Sequence, residues 1–246
     1  MIRYRIRWTK QDRTRFVSAR DMTSIWERAL RRAALPIAYS EGFTPHAKVS
    51  FPDALPVGHE STGEYAELTF AAPIDPEVGF ARLSSTLPAG MDILTYLEVP
   101  AGAPKLSRML GATLWELEWP AVDSAELTEL LHRRSESLLA SQSAPVVRRR
   151  ENGDRTIDVR PALLAIAASQ RRPLRGDART VLRAVLRNDP PTIRPVDLHA
   201  ALNREDIAAP VANRRVAQGE PVPDGIREAL SGEIELLMVD VEAEAA

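Results

Sequence analysis

The sequence predicts an α+β protein made of two tandem ferredoxin-like units, each with the element order βαββαβ, the second with extra strands. Three observations carry this prediction. Apolar residues alternate with polar ones in several short segments, which is typical of half-buried strands. Between these segments apolar residues recur every three or four positions, as in amphipathic helices. The two kinds of pattern follow one another in the same order twice along the 246 residues, and that order is the split βαβ motif.

The first unit is expected to span residues 1–100. Its opening strand has one apolar and one cationic face, formed by the alternating residues Ile2, Arg3, Tyr4, Arg5, Ile6, Arg7 and Trp8. A helix follows, for which Ser18 or Asp21 is a suitable N-cap and Pro36 a stop. Three arginines lie off the apolar stripe of this helix, at Arg28, Arg31 and Arg32. The later elements are two strands, a short helix and a last strand, predicted over 47–51, 64–70, 76–87 and 91–99.

The second unit is expected to span residues 108–246, after a linker at 99–107 that is rich in Pro, Ala and Gly. An Asn-Gly turn between two strand patterns predicts an Arg-rich hairpin over 146–160. The other patterns predict helices over 124–140 and 195–203 and strands over 114–119, 179–186, 211–218 and 234–241. The unit therefore ends in a C-terminal strand.

Composition excludes several classes of site. The chain has no cysteine, so it has no disulfide, thiolate zinc site, iron–sulfur cluster or cysteine nucleophile. None of its four histidines has a metal-ligand spacing, and no P-loop, GxGxxG or GxSxG motif is present. We therefore expect no catalytic residue, metal or cofactor, and binding rather than catalysis. No apolar run is long enough to cross a membrane, and the N-terminus lacks a signal-peptide h-region, so we expect a cytoplasmic location without a membrane partner.

Charge is segregated along the chain. Residues 1–51 carry 11 basic and 4 acidic side chains, whereas residues 52–131 carry 3 and 13. Residues 132–219 are again basic, and residues 220–246 are acidic. This asymmetry indicates either an anionic partner or pairing between basic and acidic segments within the fold.

The cationic face of the first strand is the first candidate site. A ferredoxin-like sheet carries its helices on one face, so burial of the apolar residues leaves the arginines on the open face. An open cationic sheet face can bind single-stranded RNA. The alternative is cross-strand pairing, for example of Arg5 with Glu67. The predicted RNA-contacting residues, including those of the hairpin in the second unit, are Arg3, Arg5, Arg7, Lys48, Arg148, Arg149 and Arg150.

The second candidate site is the segment YSEGFTPHAKVSF at 39–51, which combines aromatic, polar and turn-forming residues. Gly42 and Pro45 are expected to fix a tight loop that presents backbone N–H groups to a phosphate or carboxylate. For Phe43, packing into the core is the preferred interpretation, whereas His46 and Lys48 are expected to be functional. The predicted loop site consists of Tyr39, Ser40, Gly42, Phe43, Pro45, His46 and Ser50.

Four segments closely resemble the radical-SAM-linked protein family, a bacterial domain family fused to, or encoded separately from, radical SAM proteins. They are RYRIRWTK at 3–10, RFVSARDM at 15–22, ERALRRAALPIAYSEGFTPHAKVSF at 27–51 and LPVGHES at 55–61. The resemblance implies a role in modifying a macromolecule such as tRNA or rRNA. Family members usually have His where this sequence has Ala19, so an activity that depended on that His would be absent here.

These features together predict an RNA-binding accessory module that presents tRNA or rRNA to a separate enzyme, either a radical SAM protein or another RNA-processing enzyme. Two alternatives remain open. The chain could be a protein-interaction subunit of a radical SAM enzyme or ribonuclease that never contacts RNA. It could also be an RNA-modifying enzyme that uses His46.

Overall fold

A computed structural model of the protein describes residues 1–120, 124–149, 153–171, 178–203 and 206–238. Helices and strands both contribute to its core, so the α+β class is confirmed. The chain divides into two compact units. Unit 1 comprises Met1–Met109 together with Leu230–Gly232, and unit 2 contains the other described residues.

Unit 1 begins with the strand β1, because its alternating apolar and basic residues suit a pleated strand that buries one face. In chain order its elements are β1 (Ile2–Lys10), α1 (Ala19–Arg32), β2 (Val49–Ser50), β3 (Glu60–Phe70), α2 (Pro76–Thr86), β4 (Ile93–Glu98) and α3 (Leu106–Met109). β1 pairs with β3 and β4, and β2 pairs with β3, in each case antiparallel. The strand order is therefore β4–β1–β3–β2.

The core of unit 1 forms where β1 meets α1. Tyr4, Ile6 and Trp8 of β1 are buried, as the alternation predicts. The rings of Trp8 and Trp26 meet edge to face, with their centroids 5.2 Å apart. Burial of such side chains stabilises the fold by about 1.5–3 kcal/mol each. A slip of one residue in β1 would expose all three, so the register is well specified.

Helix α1 begins and ends where its sequence predicts. The Ser18 hydroxyl accepts a hydrogen bond from the Asp21 backbone N–H at 3.2 Å, which caps the first turn. The chain leaves the helix through Ala34, which has a φ of +49°, and Pro36 follows. The buried side of α1 consists of Met22, Trp26, Ala29 and Leu30. Its opposite side faces solvent.

Unit 2 repeats the element order of unit 1 with a hairpin inserted after its first helix. In chain order its elements are β5 (Ala112–Trp119), α4 (Ser124–Ala140), β6 (Pro145–Arg148), β7 (Arg155–Asp158), β8 (Leu163–Arg171), β9 (Arg179–Arg187), α5 (Pro195–Leu202), β10 (Ala212–Val222), β11 (Gly225–Glu228) and β12 (Ile234–Leu236). Its main strands lie in the order β10–β5–β9–β8. β6 and β7 form a separate hairpin, and β11 and β12 extend the sheet from β10.

Several elements of unit 2 differ from the sequence prediction. The hairpin at the Asn-Gly turn is confirmed, but β8 and β11 were not predicted. β8 begins with the run LLAIAA, which lacks the alternation that identifies a half-buried strand. The last predicted strand, 234–241, is shorter than expected, because β12 ends at Leu236. None of the helices in these described ranges is long and apolar enough to cross a lipid bilayer.

Candidate functional site

The cationic face of β1 is not open. Arg5 and Arg7 are only 3% and 8% exposed, so the prediction of a solvent-exposed arginine face is wrong for both. Arg3 and Arg5 donate to the two carboxylate oxygens of Glu67, at 2.9 and 3.0 Å. Arg5 also donates to the carbonyl oxygen of Pro104, and Arg7 donates to a main-chain carbonyl oxygen at 2.8 Å. The alternative of cross-strand pairing therefore describes this face.

The arginines of the predicted hairpin site differ in their surroundings. Arg148 makes a bidentate ion pair with the buried carboxylate of Asp197 and donates to the carbonyl oxygen of Thr192. This pair holds the β6–β7 hairpin against α5, so the expectation that Arg148 is available for RNA is wrong. Arg149 is exposed. Arg150 lies outside the described residues.

The second candidate site, the loop at 39–46, is a braced turn. An antiparallel bridge joins Tyr39 to Ala47 at its base. Above it, the Ser40 backbone N–H donates to the His46 carbonyl oxygen at 2.8 Å, and the His46 N–H donates to the Ser40 hydroxyl at 3.0 Å. Gly42 has a φ of +133°, a region that side chains with a Cβ rarely occupy. These contacts restrict the loop to one turn geometry.

The loop presents two aromatic side chains to solvent. Tyr39 is 45% exposed and Phe43 is fully exposed. The interpretation of Phe43 as a core residue is therefore wrong, because the turn at Gly42 carries its ring away from the sheet. Pro45 and Ser50 are exposed as well, and Lys48 is half-buried. Burial of an exposed aromatic ring on a braced loop costs little conformational entropy, so such a ring can form a contact surface.

The outer face of α1 carries four exposed arginines. They are Arg20, Arg28, Arg31 and Arg32. None of their guanidinium groups has an ion pair or hydrogen bond with another residue that the structure describes. Arg20, Arg28 and Arg31 are eight and three positions apart, a spacing that places them on one side of the helix. The sequence signal was the set of arginines off the apolar stripe, although Arg20 was not among those singled out.

The loop at 39–46 lies beside this helix. His46 Nδ1 is 3.6 Å from the carboxylate of Glu27 on α1, so the end of the loop contacts the helix one turn before Arg31. The other carboxylate of the helix, Asp21, accepts a hydrogen bond from the Ser18 hydroxyl at 2.7 Å. Unit 1 thus combines unpaired arginines with the exposed rings of Tyr39 and Phe43.

A cleft of about 280 Å³ opens beside the first half of α1. Its lining consists of Trp8, Lys10, Ala19, Met22, Thr23, Phe51, Asp53, Ala54, Leu55 and Glu64. Lys10 and Glu64 are buried, and Lys10 Nζ donates to the carbonyl oxygen of Val17 at 2.8 Å. The indole N–H of Trp8 is buried and has no hydrogen-bond partner among the described residues. No motif in the sequence indicates this cleft, because its residues come from four separate segments.

Unit 2 holds its own charges in an internal network. Arg171, Arg183 and Arg214 all pair with the buried carboxylate of Glu116. Burial raises the pKa of Glu116, but the nearby guanidinium groups lower it more, so its pKa lies below the ordinary value of 4.5. Arg171 also pairs with Glu118. These arginines stabilise the sheet of unit 2.

Comparison with known proteins places the chain in one family. A search of curated proteins finds no match to it. A family model described as an uncharacterized protein conserved in bacteria, DUF2344, matches residues 3–195, and this range includes α1, the loop at 39–46 and the cleft. The chain therefore belongs to the bacterial DUF2344 family.

Proposed function

We propose that the protein is a cytoplasmic RNA-binding accessory module that holds tRNA or rRNA for a separate enzyme. The interface is the outer face of α1 together with the loop at 39–46. One observation carries this proposal: unpaired arginines and fully or partly exposed aromatic rings lie on adjacent elements of unit 1. Cations for phosphates and rings for bases are the two components of single-strand recognition.

The arginines of α1 supply the phosphate contacts. Arg20, Arg28 and Arg31 carry their charges in solvent without a carboxylate partner in the described residues, so binding RNA breaks no ion pair of the folded protein. A helix of 14 residues is about 21 Å long, which is enough for several phosphates. Lys48 lies on the segment that follows the loop and adds a further cation.

The aromatic loop favours unpaired bases over a duplex. Bases in single strands and loops can stack on exposed rings, whereas the bases of an A-form duplex cannot be reached in its narrow major groove. Phe43 projects fully into solvent, and stacking of a base on such a ring contributes about 1–3 kcal/mol. Loops and single-stranded ends of tRNA or rRNA therefore fit this surface best.

The chemistry is assigned to a separate enzyme, and the resemblance to the radical-SAM-linked family supports a radical SAM protein in that role. The His46 imidazole is largely exposed, and the one carboxylate it meets among the described residues is the partly exposed Glu27, at 3.6 Å. An exposed pair at this distance lacks the buried, tightly hydrogen-bonded arrangement that activates a catalytic His. Presentation of RNA is therefore favoured over catalysis by His46.

The two units are proposed to be tandem ferredoxin-like units. Their strand orders, β4–β1–β3–β2 and β10–β5–β9–β8, both correspond to the order fourth, first, third, second within a βαββαβ motif. In unit 1 this arrangement places α1 on one face of the sheet and leaves the outer side of the helix in solvent. That placement makes a helix, rather than the sheet, the proposed RNA-binding surface.

The test is the salt dependence of RNA binding. The affinity for a labelled single-stranded RNA of roughly 12 nucleotides would be measured by fluorescence anisotropy over a range of salt concentrations. The triple variant Arg20→Gln, Arg28→Gln, Arg31→Gln should flatten the log–log slope by about two units, close to 0.7 for each lost contact. Gln is a good helix former, and exposed arginines contribute little to stability, so folding should be unchanged.

The matched control replaces three exposed arginines of unit 2, with Arg133→Gln, Arg155→Gln and Arg187→Gln, and it should keep the wild-type slope. Equal losses in both triple variants would show a non-specific effect of net charge and overturn the assignment of α1. A wild-type protein that binds no RNA but retains a protein partner would overturn the proposal in favour of protein docking. Turnover of RNA by the purified protein, lost in His46→Ala, would overturn it in favour of an enzyme.

A further inference from the structure

We propose that the cleft beside α1 receives one nucleobase of the bound RNA, turned out of its strand. This inference rests on the proposed function, because it assigns a second contact to the same RNA. It draws on three features of unit 1: the size and walls of the cleft, its buried polar groups, and its position next to the arginine face. Neither the loop nor the arginines of α1 need the cleft for their own contacts.

The walls of the cleft suit a flat aromatic ligand. Trp8 and Phe51 stand nearly perpendicular, with ring centroids 6.3 Å apart, and Met22 adds a flexible apolar side chain. A protein cavity of about 150 Å³ accommodates benzene. The cleft, at about 280 Å³, therefore has room for a one-ring or two-ring base without a shift of the core.

The polar groups of the cleft match the edge of a base rather than a hydrocarbon. The Watson–Crick edge of a nucleobase combines hydrogen-bond donors and acceptors. Lys10 and Glu64 line the cleft, are buried and already have partners within the protein. An ammonium group has three N–H donors and a carboxylate about four acceptor sites, so each can take a further partner while it keeps these contacts. The N–H of Trp8, which is only 2% exposed, has no acceptor within the described residues. That N–H is closed to solvent, so a base in the cleft would contact the indole ring of Trp8 rather than its N–H.

The mouth of the cleft lies on the same helix as the proposed phosphate contacts. Ala19 and Thr23 of α1 line the cleft and are exposed, and Arg20 directly follows Ala19. Glu27, four positions after Thr23, contacts the loop at His46. A strand that runs along α1 therefore passes the cleft within about 12 Å of the loop, because eight residues of helix span that distance.

The test uses RNA with single abasic positions. In the wild-type protein, removal of the base that occupies the cleft should weaken binding roughly tenfold. Removal of a base that contacts neither the cleft nor the loop at 39–46 should have a smaller effect. Ala19→Leu fills the mouth of the cleft with an apolar side chain. This variant should bind intact RNA more weakly by a similar factor. Removal of the base should then lower its affinity no further, because the two changes remove the same contact.

The matched control is Ala81→Leu, the same change at an exposed position of α2 away from the cleft. It should bind intact and abasic RNA as the wild-type protein does. Thr23→Leu is a second cleft-filling variant, which keeps the test decisive if Ala19→Leu fails to fold. Equal abasic penalties in the wild-type protein and in both cleft variants would overturn the inference while leaving the salt dependence of α1, and so the proposed function, intact.

A second arm distinguishes a base in RNA from a free nucleotide. Tryptophan fluorescence would be measured while AMP, GMP, CMP, UMP or ribose 5-phosphate is added. Ribose 5-phosphate lacks the base and should leave the emission unchanged, whereas at least one nucleotide should alter it in a way that Ala19→Leu abolishes. Nucleotide binding without any RNA binding would overturn both proposals and assign the cleft to a free nucleotide. Absence of both responses would overturn base recognition in the cleft.

Discussion

Gly42 shows how one residue fixes the geometry of the candidate site. Its φ of +133° lies in the region that favours glycine, and a Cβ added there would meet no atom within 4 Å. The obstacle to substitution is therefore the backbone conformation rather than a steric clash. Gly42 occupies the turn that directs Phe43 into solvent.

Gly42→Val should change the loop and not the core. A β-branched residue at this position costs about 1–3 kcal/mol of local strain, which the loop can relieve by losing its turn. We expect RNA affinity to fall several-fold with an unchanged core, measured by anisotropy and by near-UV circular dichroism. Gly102→Val is the control, because Gly102 also has a positive φ and open space around it. Equal affinities in both variants would contradict the role of the loop.

Arg3 and Arg5 show that the side of a strand on which a residue lies does not determine whether the residue is exposed. Alternation along β1 correctly predicts which side the arginines share. It does not predict burial, because the groups that cover Arg5 come from Pro104 and Met109, almost 100 positions away. No periodic signal in the sequence connects such distant residues, and the segment 99–107 reads as a linker because of its Pro and Gly content.

The two arginines should respond differently to the same change. Arg5→Gln removes a buried partner of Glu67 and should lower the free energy of unfolding by about 3 kcal/mol. Arg3→Gln removes the more exposed partner, which is 39% exposed, and should cost under about 1 kcal/mol. Urea unfolding measures both values. Similar small losses, together with a reduced RNA salt slope in Arg5→Gln, would restore the sheet face as the RNA site.

At the scale of elements, α1 is the part of the site that the sequence predicts best. Its cap at Ser18, its apolar stripe and its stop before Pro36 are local signals, and all three are observed. The direction of its outer arginines follows from the same periodicity. The cleft beside it could not be predicted, because Phe51, Asp53 and Glu64 reach α1 only through the packing of β3 and the preceding loop.

The β6–β7 hairpin illustrates the opposite case, in which a local signal predicts the element but not its partner. The Asn-Gly turn identifies the hairpin, whereas the ion pair between Arg148 and Asp197 joins residues 49 positions apart. Arg148 is the last residue of β6, and Arg149 lies just beyond the strand. Arg148 packs against α5 while Arg149 remains exposed.

Arg148 and Arg149 are neighbours in sequence but differ in burial, so the same substitution can be compared at the two positions. Arg148→Gln leaves the buried Asp197 carboxylate without its bidentate partner and should lower the free energy of unfolding by about 3–5 kcal/mol. Arg149→Gln should change it by less than about 0.5 kcal/mol. Neither variant should alter the RNA salt slope. A flattened slope in Arg149→Gln would move the RNA site to the hairpin.

On the scale of the whole molecule, part of the segregated charge is paired inside each unit. Glu67 of unit 1 and Glu116 of unit 2 each form ion pairs with more than one arginine on the face of a sheet. Charge segregation along the sequence therefore reflects, in part, internal pairing. The arginines of α1 differ from these, because no carboxylate in the described part of the chain pairs with them.

The network of unit 2 predicts a loss of stability in acid. The pKa of Glu116 is lower in the folded state than its ordinary value of 4.5. Its contribution to stability is therefore complete above about pH 4.5 and is lost as the pH falls through the folded pKa. Glu116→Gln should reduce stability at pH 7 by about 3–5 kcal/mol and weaken the dependence on pH below 4.5.

Glu220→Gln is the control for this prediction, since the Glu220 side chain is 75% exposed and its carboxylate lies 3.9 Å from Arg227 Nε. It should retain the wild-type stability and the wild-type pH dependence. Denaturant unfolding at a series of pH values from 3 to 7 measures these quantities. An unchanged acid dependence in Glu116→Gln would show that other carboxylates carry the effect.

Photocrosslinking tests most directly whether RNA binds the outer face of α1 and the loop at 39–46, as we propose. Ultraviolet irradiation of the protein with RNA joins bases to the side chains they stack on, and mass spectrometry identifies the peptides. We predict crosslinks at Phe43 and Tyr39, with a loss of these crosslinks in the triple variant of Arg20, Arg28 and Arg31. Crosslinks confined to the hairpin of unit 2 or to β1, unchanged in that variant, would contradict the claim.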